Sequence, residues 1–400
     1  MQAKQQAKQA KQKARNDRRY ELALEKGEEI GVSSHWVKRR EHLNLGSELG
    51  KGSWGTVYRC RHEQLQYWDD NKSYAAKLIC PAGMVPEEAS QLRNEIVLWS
   101  AFDHPHCVHF RGVIFDVKDG GCCLLCDYMS GGSLFGRQRA QRESNAPPPS
   151  TEVLVAELLQ VAEGALHLHQ NGIVHRDLKS PNVLIHRDGR LCISDFGLAR
   201  RLVPPRGNMT AETGSYRWMA PEVTLHKQYG LPCDVYSFAM LCTELLNRTV
   251  PFPDMDPVRA AGKAAQERWR PTLPQHAPTA IVALCRACWE QEPEARLTFE
   301  NICASLASYA APTAPAAVAH TAAAHMEAAV AHTPAIDTAR AVAHTAAIDT
   351  ARPAHTAPVY VVGADASPGG QEGLGGCENP SGQSRARGIS PQSTILFTIV

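Results

Sequence analysis

No stretch of this 400-residue chain approaches 18 uninterrupted apolar residues, which excludes a helix spanning a bilayer. The opening MQAKQQAKQAKQKAR lacks an apolar core region, so it is not a secretory signal. Net charge is nearly absent too. Forty-two basic residues face 41 acidic ones, leaving +1, and no global field draws the protein to nucleic acid or an anionic membrane. The 13 cysteines are odd in number and scattered, which suits a reducing compartment better than a disulfide framework. Cys122, Cys123 and Cys126 cluster, and Cys285 and Cys288 form a C-x-x-C, but no second Cys or His pair stands at a zinc-site interval. Thiols packed as small hydrophobes on a strand and a helix are the expectation. Together these absences point to a soluble, cytoplasmic protein, with membrane attachment through an upstream segment left open. What is present suits a large core: 44% hydrophobic residues, close to the globular average, in a chain long enough to need neither disulfide nor metal.

The chain divides into three stretches by composition. Residues 1–20 carry Lys4, Lys8, Lys11, Lys13, Arg15, Arg18 and Arg19 against Asp17 alone. Gln, Ala and Lys favour helix, but this stretch offers no apolar stripe for burial, so residues 1–20 are expected to be a solvated helix or a disordered arm, the basic Gln/Ala/Lys-rich N-terminal arm being taken as residues 1–40. Short basic runs of this kind leave contact with nucleic acid or anionic lipid open, with no specific nucleic-acid recognition expected. From Glu41 to about Tyr309 strand and helix signals alternate with punctuating glycines. HLNLGSELG, TVYRCRH and SYAAKLIC read as strands, and EEASQLRNEIVLWSAF reads as a helix. TEVLVAELLQVAEGALHLHQ is a long helix with Leu154, Leu158, Val161, Ala165 and Leu168 along one face. DVYSFAMLCTELL is apolar nearly all round and predicts a buried helix. A strand-rich front and helix-rich back predict an α+β fold segregated into two lobes over residues 41–309. Residues 310–400 contain no lysine and collapse into Ala, Thr, His and Pro. AHTPAIDTAR (331–340) recurs as AHTAAIDTAR (343–352), too few copies for a solenoid. Such a tail buries too little surface to offset its chain entropy and is expected to be disordered.

The residues that carry chemistry begin with Gly50-Lys51-Gly52-Ser53-Trp54-Gly55-Thr56-Val57. A lone G-x-G-x-x-G is a weak signal, and before a helix it would mark a dinucleotide fold. Here it opens into a strand, which favours a hairpin closing over phosphates, with glycines letting backbone N–H groups approach the oxygens. Twenty-two residues after Gly55, Lys77 stands mid-strand among apolar residues, where an unpaired charge is costly to bury. A phosphate and the helix carboxylate Glu95 would offset that cost, and an ordinary edge-strand lysine remains the alternative on this ground alone. His175-Arg176-Asp177-Leu178-Lys179-Ser180-Pro181-Asn182 follows in the second half. Thirteen residues after Asn182 comes Asp195-Phe196-Gly197, and Ala220-Pro221-Glu222 stands 23 after Gly197.

In that order and at those intervals the elements resemble a eukaryotic protein kinase over about residues 43–309. HRDLKSPN, GSYRWMAPEV, DVYSFAMLCTELL and CWEQEPEARLTFENICASL resemble the tyrosine-kinase-like group, which includes Raf and mixed-lineage kinases. The resemblance implies the two-lobed protein kinase fold, a β-rich N-lobe with one main helix and an α-helical C-lobe. It implies transfer of the ATP γ-phosphate, with Mg²⁺ or, in its place, Mn²⁺, to Ser or Thr hydroxyls of protein substrates. A kinase-fold scaffold and a dual-specificity kinase are the alternatives. Gly50, Lys51, Gly52, Ser53 and Gly55 would cover the phosphates, and Lys77 paired to Glu95 would hold the α/β-phosphates. Asp195 and Asn182 would ligate the metal, an oxygen-rich site suited to a hard cation. Asp177 would orient the acceptor hydroxyl and Lys179 would stabilise the transferred group. Leu49, Val57, Ala75 and Leu184 would line the adenine pocket. Cys126 falls at the gatekeeper position, and Asp127 through Met129 form the hinge. Glu222 would pair with Arg296, and Asp234 would anchor the catalytic loop. Thr210, Thr213 and Ser215 are the hydroxyls of the activation segment, with phosphorylation by an upstream kinase or by the protein itself sensed through Arg176. Departures from the pattern are Leu297 in place of proline, Trp54 at the glycine-loop tip, Asp127 in place of the usual Glu, and a long loop before the Lys77 strand.

Overall fold

The polypeptide begins with α1 (Gln2–Glu29), a helix whose residues 4–15 are exposed all round. The computed structural model describes residues 2–52, 55–65, 73–79, 86–116, 121–202 and 215–310. All of these lie in the first of the two units into which the chain divides, residues 1–331 with 395–400. The repeat-bearing stretch is outside the described residues, as is the long loop after Gln64 from residue 66 to 72.

Five strands form an antiparallel sheet: β1 (Leu43–Gly52), β2 (Gly55–His62), β3 (Tyr74–Ile79), β4 (Phe110–Asp116) and β5 (Gly121–Asp127), in the order β1-β2-β3-β5-β4. Alternation along a strand sends successive side chains to opposite faces, and here it serves two cores. Tyr74, Ala76, Cys123 and Leu125 join Leu43, Cys60 and Ile114 on one face. Ala75, Ile79, Leu124 and Cys126 face the other way, into the main core. Lys77 shares that second face, which α2 (Pro86–Trp99) covers. The pairing registers Ala75 opposite Cys126 and Lys77 opposite Leu124.

The second lobe is helical. α3 (Leu134–Glu143) and α4 (Thr151–Gln170) start at Ser133 and Ser150, whose hydroxyls accept from the N–H groups of Gly136 and Val153. The predicted apolar face of α4 is buried along Leu154, Leu158, Val161, Ala165 and Leu168. Between the lobes lie the short strands β6 (Ile173–Val174), β7 (Val183–Ile185), β8 (Leu191–Ile193) and β9 (Arg200–Arg201). After the short α5 (Pro221–Thr224), α6 (Pro232–Asn247) runs through the centre with every residue from Cys233 to Leu245 buried, as its all-round apolar sequence demands. α7 (Pro257–Gln266), α8 (Thr279–Cys288) and α9 (Phe299–Ala310) enclose it. No described helix is long and apolar enough to cross a membrane. All the described cysteines are free thiols, buried except for the half-buried Cys122 and Cys303, and burial pushes the thiols of Cys60 and Cys122 up to about 12.

The basic run of α1 is solvated, as expected, but the chain behind it is seated on the domain: Ala23, Val32 and Val37 belong to the main core, with Tyr20, Leu24, Ile30 and Trp36 packed against it. The apolar face begins at Tyr20, where the basic run ends, and continues past the helix end.

The Glu222–Arg296 pair closes bidentately at 2.7 Å for both contacts, with the guanidinium also donating to the carbonyls of Glu290, Pro232 and Gln291. Both side chains are buried, so removal of one partner strands the other's charge. Arg296→Met is expected to lower unfolding free energy by about 3–5 kcal/mol in urea titrations. The double variant Glu222→Gln/Arg296→Met is expected to lose less than Arg296→Met alone, because no unpaired charge remains.

Candidate active site between the lobes

Lys77 reaches α2, where its ammonium lies 3.4 Å from Glu95 Oε1. Burial opposes the charge on Lys77, but the carboxylates of Glu95 and Asp195 outweigh it and hold its pKa above the ordinary value. Glu95 is held in place by an aromatic column. Trp99, one helical turn further along α2, packs its tilted ring 5.5 Å from both Phe110 and Phe196, and Phe196 lies edge-on 5.5 Å from His175. The Trp99 indole N–H donates to the carbonyl of Val108 at 2.7 Å. That bond ties α2 to the loop preceding β4, so the helix carrying Glu95 has both a packed and a hydrogen-bonded anchor. Sequence reasoning missed Trp99. Its signal was available, since positions four apart share a helix face.

Below the column, the segment His175–Asn182 takes its shape from Asp234 on α6. The Asp234 carboxylate accepts the backbone N–H of His175 at 2.7 Å and of Arg176 at 2.8 Å. Arg176 is left-handed there, φ 69°, and so is Asp195, φ 64°. For residues with a Cβ such backbone is costly and persists only when the surroundings impose it. The result gathers the polar groups at one point. Asp177 Oδ2 accepts from Lys179 Nζ at 2.7 Å and Asn182 Nδ2 at 2.8 Å, and Lys179 Nζ also donates to Ser215 Oγ at 2.6 Å. Asp177 Oδ1 is buried with no hydrogen-bond partner among the described residues. The carboxylate of Asp195 likewise makes no hydrogen bond or ion pair among them, while lying close enough to Lys77 and Glu95 to act on both.

Towards the sheet, Ala75, Val108, Cys126, Asp127, Tyr128, Met129 and Leu184 line an apolar pocket, and Val57, Lys77, Glu95, Leu124, Cys126 and Asp195 line the recess behind it. Cys126 stands between the two, and burial keeps its thiol far above the usual cysteine value. Leu49 is half-buried above and packs on the same core, while Lys51 is exposed beside Glu48. Gly50 and Gly52 lie on β1 opposite Val57 and Gly55. A Cβ at Gly55 would sit 1.8 Å from the Leu78 carbonyl, so the hairpin closes this tightly only with glycine there. Ser53, Trp54, Thr210 and Thr213 lie outside the described residues. Asp127 is held from the side: its carboxylate accepts two bonds from Arg111, at 2.5 and 2.9 Å, and one from His109 at 3.0 Å. Burial works against ionisation, but His109 and Arg111 prevail and hold the acid at about 2.

Glu244, near the far end of α6, also escaped the sequence reading. One of its oxygens accepts from Ser180 in the segment behind Asp177, and the other from the indole of Trp218 at 3.1 Å. It therefore bridges the His175–Asn182 segment to the strip after Ser215. Nothing in the sequence distinguishes it from any other acid in an apolar helix.

The fit to a nucleotide and a hard cation can be judged from these groups. The apolar slot, the buried ammonium and two oxygen donors, Asp195 and Asn182, suit an adenine ring, phosphates and a metal taken through oxygen. A cleft of this kind between a five-stranded lobe and a helical lobe is the architecture of the protein kinase fold. The family described as protein tyrosine and serine/threonine kinase matches residues 43–306. Among curated relatives, serine/threonine/tyrosine-protein kinase HT1 of Arabidopsis thaliana is 32% identical over 70% of this chain and 69% of its own length. Serine/threonine-protein kinase STY46 of the same plant is 31% identical over 67% of this chain and 44% of its own. Human serine/threonine-protein kinase TNNI3K is 31% identical over 68% of this chain and 32% of its own. The chain thus spans under half the length of two of these relatives. It belongs to the protein tyrosine and serine/threonine kinase family, and within it to the tyrosine-kinase-like group.

Burial pushes the Glu244 carboxyl up from 4.5 to about 7, against the hydrogen bonds from Ser180 and Trp218 that favour the anion. A folded-state pKa above the unfolded value means the folded protein holds the extra proton. The stability this contributes is complete below about pH 4.5 and lost as pH rises through about 7. Glu244→Gln removes that dependence. Measured by urea midpoints from pH 5 to 8, the variant's stability relative to wild type is expected to improve steadily as pH rises.

Proposed function

We propose that this chain is a protein kinase that transfers the γ-phosphate of ATP to Ser or Thr hydroxyls of protein substrates, with Mg²⁺ held by Asp195 and Asn182. The observation that carries the reading is the state of Asp177. Its Oδ2 is committed to Lys179 and Asn182, while Oδ1 is buried with no partner among the described residues. An unpaired buried acceptor is costly, and an incoming hydroxyl would satisfy it. Bound Mg·ATP supplies the phosphoryl group and the cation's neutralising charge. Phosphoryl transfer otherwise asks for positioning, and the chain's own groups provide it. Asp177 Oδ1 takes the acceptor hydroxyl's hydrogen bond and then its proton. Lys179, anchored on Asp177 and Ser215, places a cation beside the transferred group. Lys77, held charged by Glu95 and Asp195, clamps the phosphates. Asp127 and Met129 present the hinge backbone to the base, with Leu49, Val57, Ala75 and Leu184 around the ring. Gly50, Lys51, Gly52, Ser53 and Gly55 close over the phosphates.

Lys179, two positions after Asp177, supports Ser and Thr over Tyr as acceptors. Buried free thiols and the lack of a membrane-crossing helix among the described residues support a cytoplasmic site of action. In assays with labelled ATP and a generic basic protein, wild type is expected to label Ser and Thr on phosphoamino-acid analysis. Asp177→Asn and Lys77→Met are expected to lower the rate by about 10²–10⁴-fold. Label on Tyr in similar amount would establish dual specificity. Mg·ATP bound with no transfer would point to a scaffold.

The reading extends to regulation at Thr210, Thr213 or Ser215, by the protein itself or an upstream kinase. Arg176 supports it: Nε and Nη1 are used by Leu198 and Tyr229, while Nη2 is buried with no partner among the described residues. A phosphate would supply that partner through a charge-assisted bond. Thr210→Ala/Thr213→Ala is expected to lower activity at least about tenfold without changing the unfolding midpoint, and unchanged activity would remove the assignment.

A further inference from the structure

The basic run at the start of the chain gains meaning from how its helix is seated. On a helix of 3.6 residues per turn, Lys4, Lys8, Lys11, Arg15 and Arg18 fall within an arc of about 80°. They recur at steps of four and three, so they form one file along about 21 Å of helix. The same geometry places Tyr20, Ala23, Leu24 and Gly27 in an arc centred about 140–150° away. Those are the residues that hold α1 to the domain. Ala23 is 3% exposed, and a Cβ at Gly27 would come within 2.7 Å of Val37 Cγ2. Tyr20 donates its hydroxyl to the Val37 carbonyl at 3.2 Å and lies under the Arg39 guanidinium at 4.3 Å. Arg39 also pairs with Asp17 at 2.9 Å. Seating this face fixes the helix's rotation, and the basic file is turned outwards. All five of its side chains are exposed, and none forms an ion pair among the described residues.

We infer that this file is a docking surface for the phosphate backbone of a nucleic acid, bound without sequence specificity. An unneutralised row of cations about 5 Å apart on a rigid rod complements a linear polyanion. Gln5 and Gln12 border the file and offer amide donors to the same phosphates. The competing surfaces fit less well. Between residues 4 and 19 no apolar side chain exceeds alanine. The helix therefore has no face to bury at an acyl boundary, and no aromatic or large apolar anchor for a protein interface. No aromatic platform or groove accompanies it either, so bases go unread and only charge is engaged. The inference is independent of phosphotransfer, since α1 lies outside the cleft residues.

The test is fluorescence anisotropy of a labelled, mixed-sequence 20-nucleotide single strand titrated with the full chain at 50 and 200 mM NaCl. Five phosphate contacts give a salt slope of about −3.5, so affinity is expected to fall about 100-fold between those salts. The variant K4Q/K8Q/K11Q/R15Q, helical by circular dichroism, is expected to bind at least about 30-fold more weakly at 50 mM NaCl, with a slope near −1. Catalytic activity of this variant is expected to match wild type. No binding by wild type at 50 mM NaCl would overturn the inference. So would a variant that binds with wild-type affinity and slope. Sedimentation of wild type with phosphatidylserine vesicles, but no binding of the oligonucleotide, would assign the surface to a membrane instead and equally overturn it.

Discussion

The buried carboxylate of Asp234 is the contact on which the shape of the His175–Asn182 segment depends. Burial opposes its ionisation, but His169 and the neighbouring His175 hold its pKa below the ordinary value. It accepts the N–H groups of His175 and Arg176 together, so two successive peptides are pinned to the most buried helix of the fold. A left-handed Arg176 is tolerable only because that helix leaves the segment no alternative. From this one constraint follow the positions of Asp177, Lys179 and Asn182, which meet within hydrogen-bond distance of a single carboxylate. Glu244, ten residues along the same helix, performs a similar service for Ser180 and Trp218. α6 therefore acts as a rail that holds the His175–Asn182 segment at one end and the strip after Ser215 at the other.

The upper half of the site is governed by a different force. Strand alternation alone puts Lys77 on the face shared by Ala75 and Ile79, where its charge lies among apolar side chains. Its partner Glu95 is on a helix, and helices shift against sheets more readily than strands shift within them. The column from Phe110 through Trp99 and Phe196 to His175 removes that freedom. Dispersion along the stack and the Trp99 hydrogen bond act on the same turn of α2 that carries the carboxylate. Apolar packing thus sets the electrostatics of the cleft, and the two lobes share one continuous core through it.

Much of this was legible beforehand. The strands, the long α4 and the buried α6 were readable because each obeys one strong period, and their limits differ from expectation by a few residues. Lys77, Glu95, Asp177, Asn182 and Asp195 were found through spacing within and between short motifs. Trp99 and Glu244 were not, since neither belongs to a local pattern. The seating of α1 has the same root: Tyr20, Ala23 and Gly27 look unremarkable until Val37 and Arg39 fold back on them.

Sequence by itself determined the local terms: which segments are strand or helix, which residue types stand at motif positions, and that the chain has the composition of a cored protein. These depend on near neighbours, so spacing and periodicity express them directly. Only the tertiary structure decided which atoms are paired and which are left open. That Asp177 keeps one oxygen unpaired among the described residues, that Asp127 is pinned by Arg111 and His109, and that the basic file of α1 faces outwards all arise from how segments distant in sequence come together. Burial and pairing are properties of the assembled interior, where a polar group's cost depends on what surrounds it.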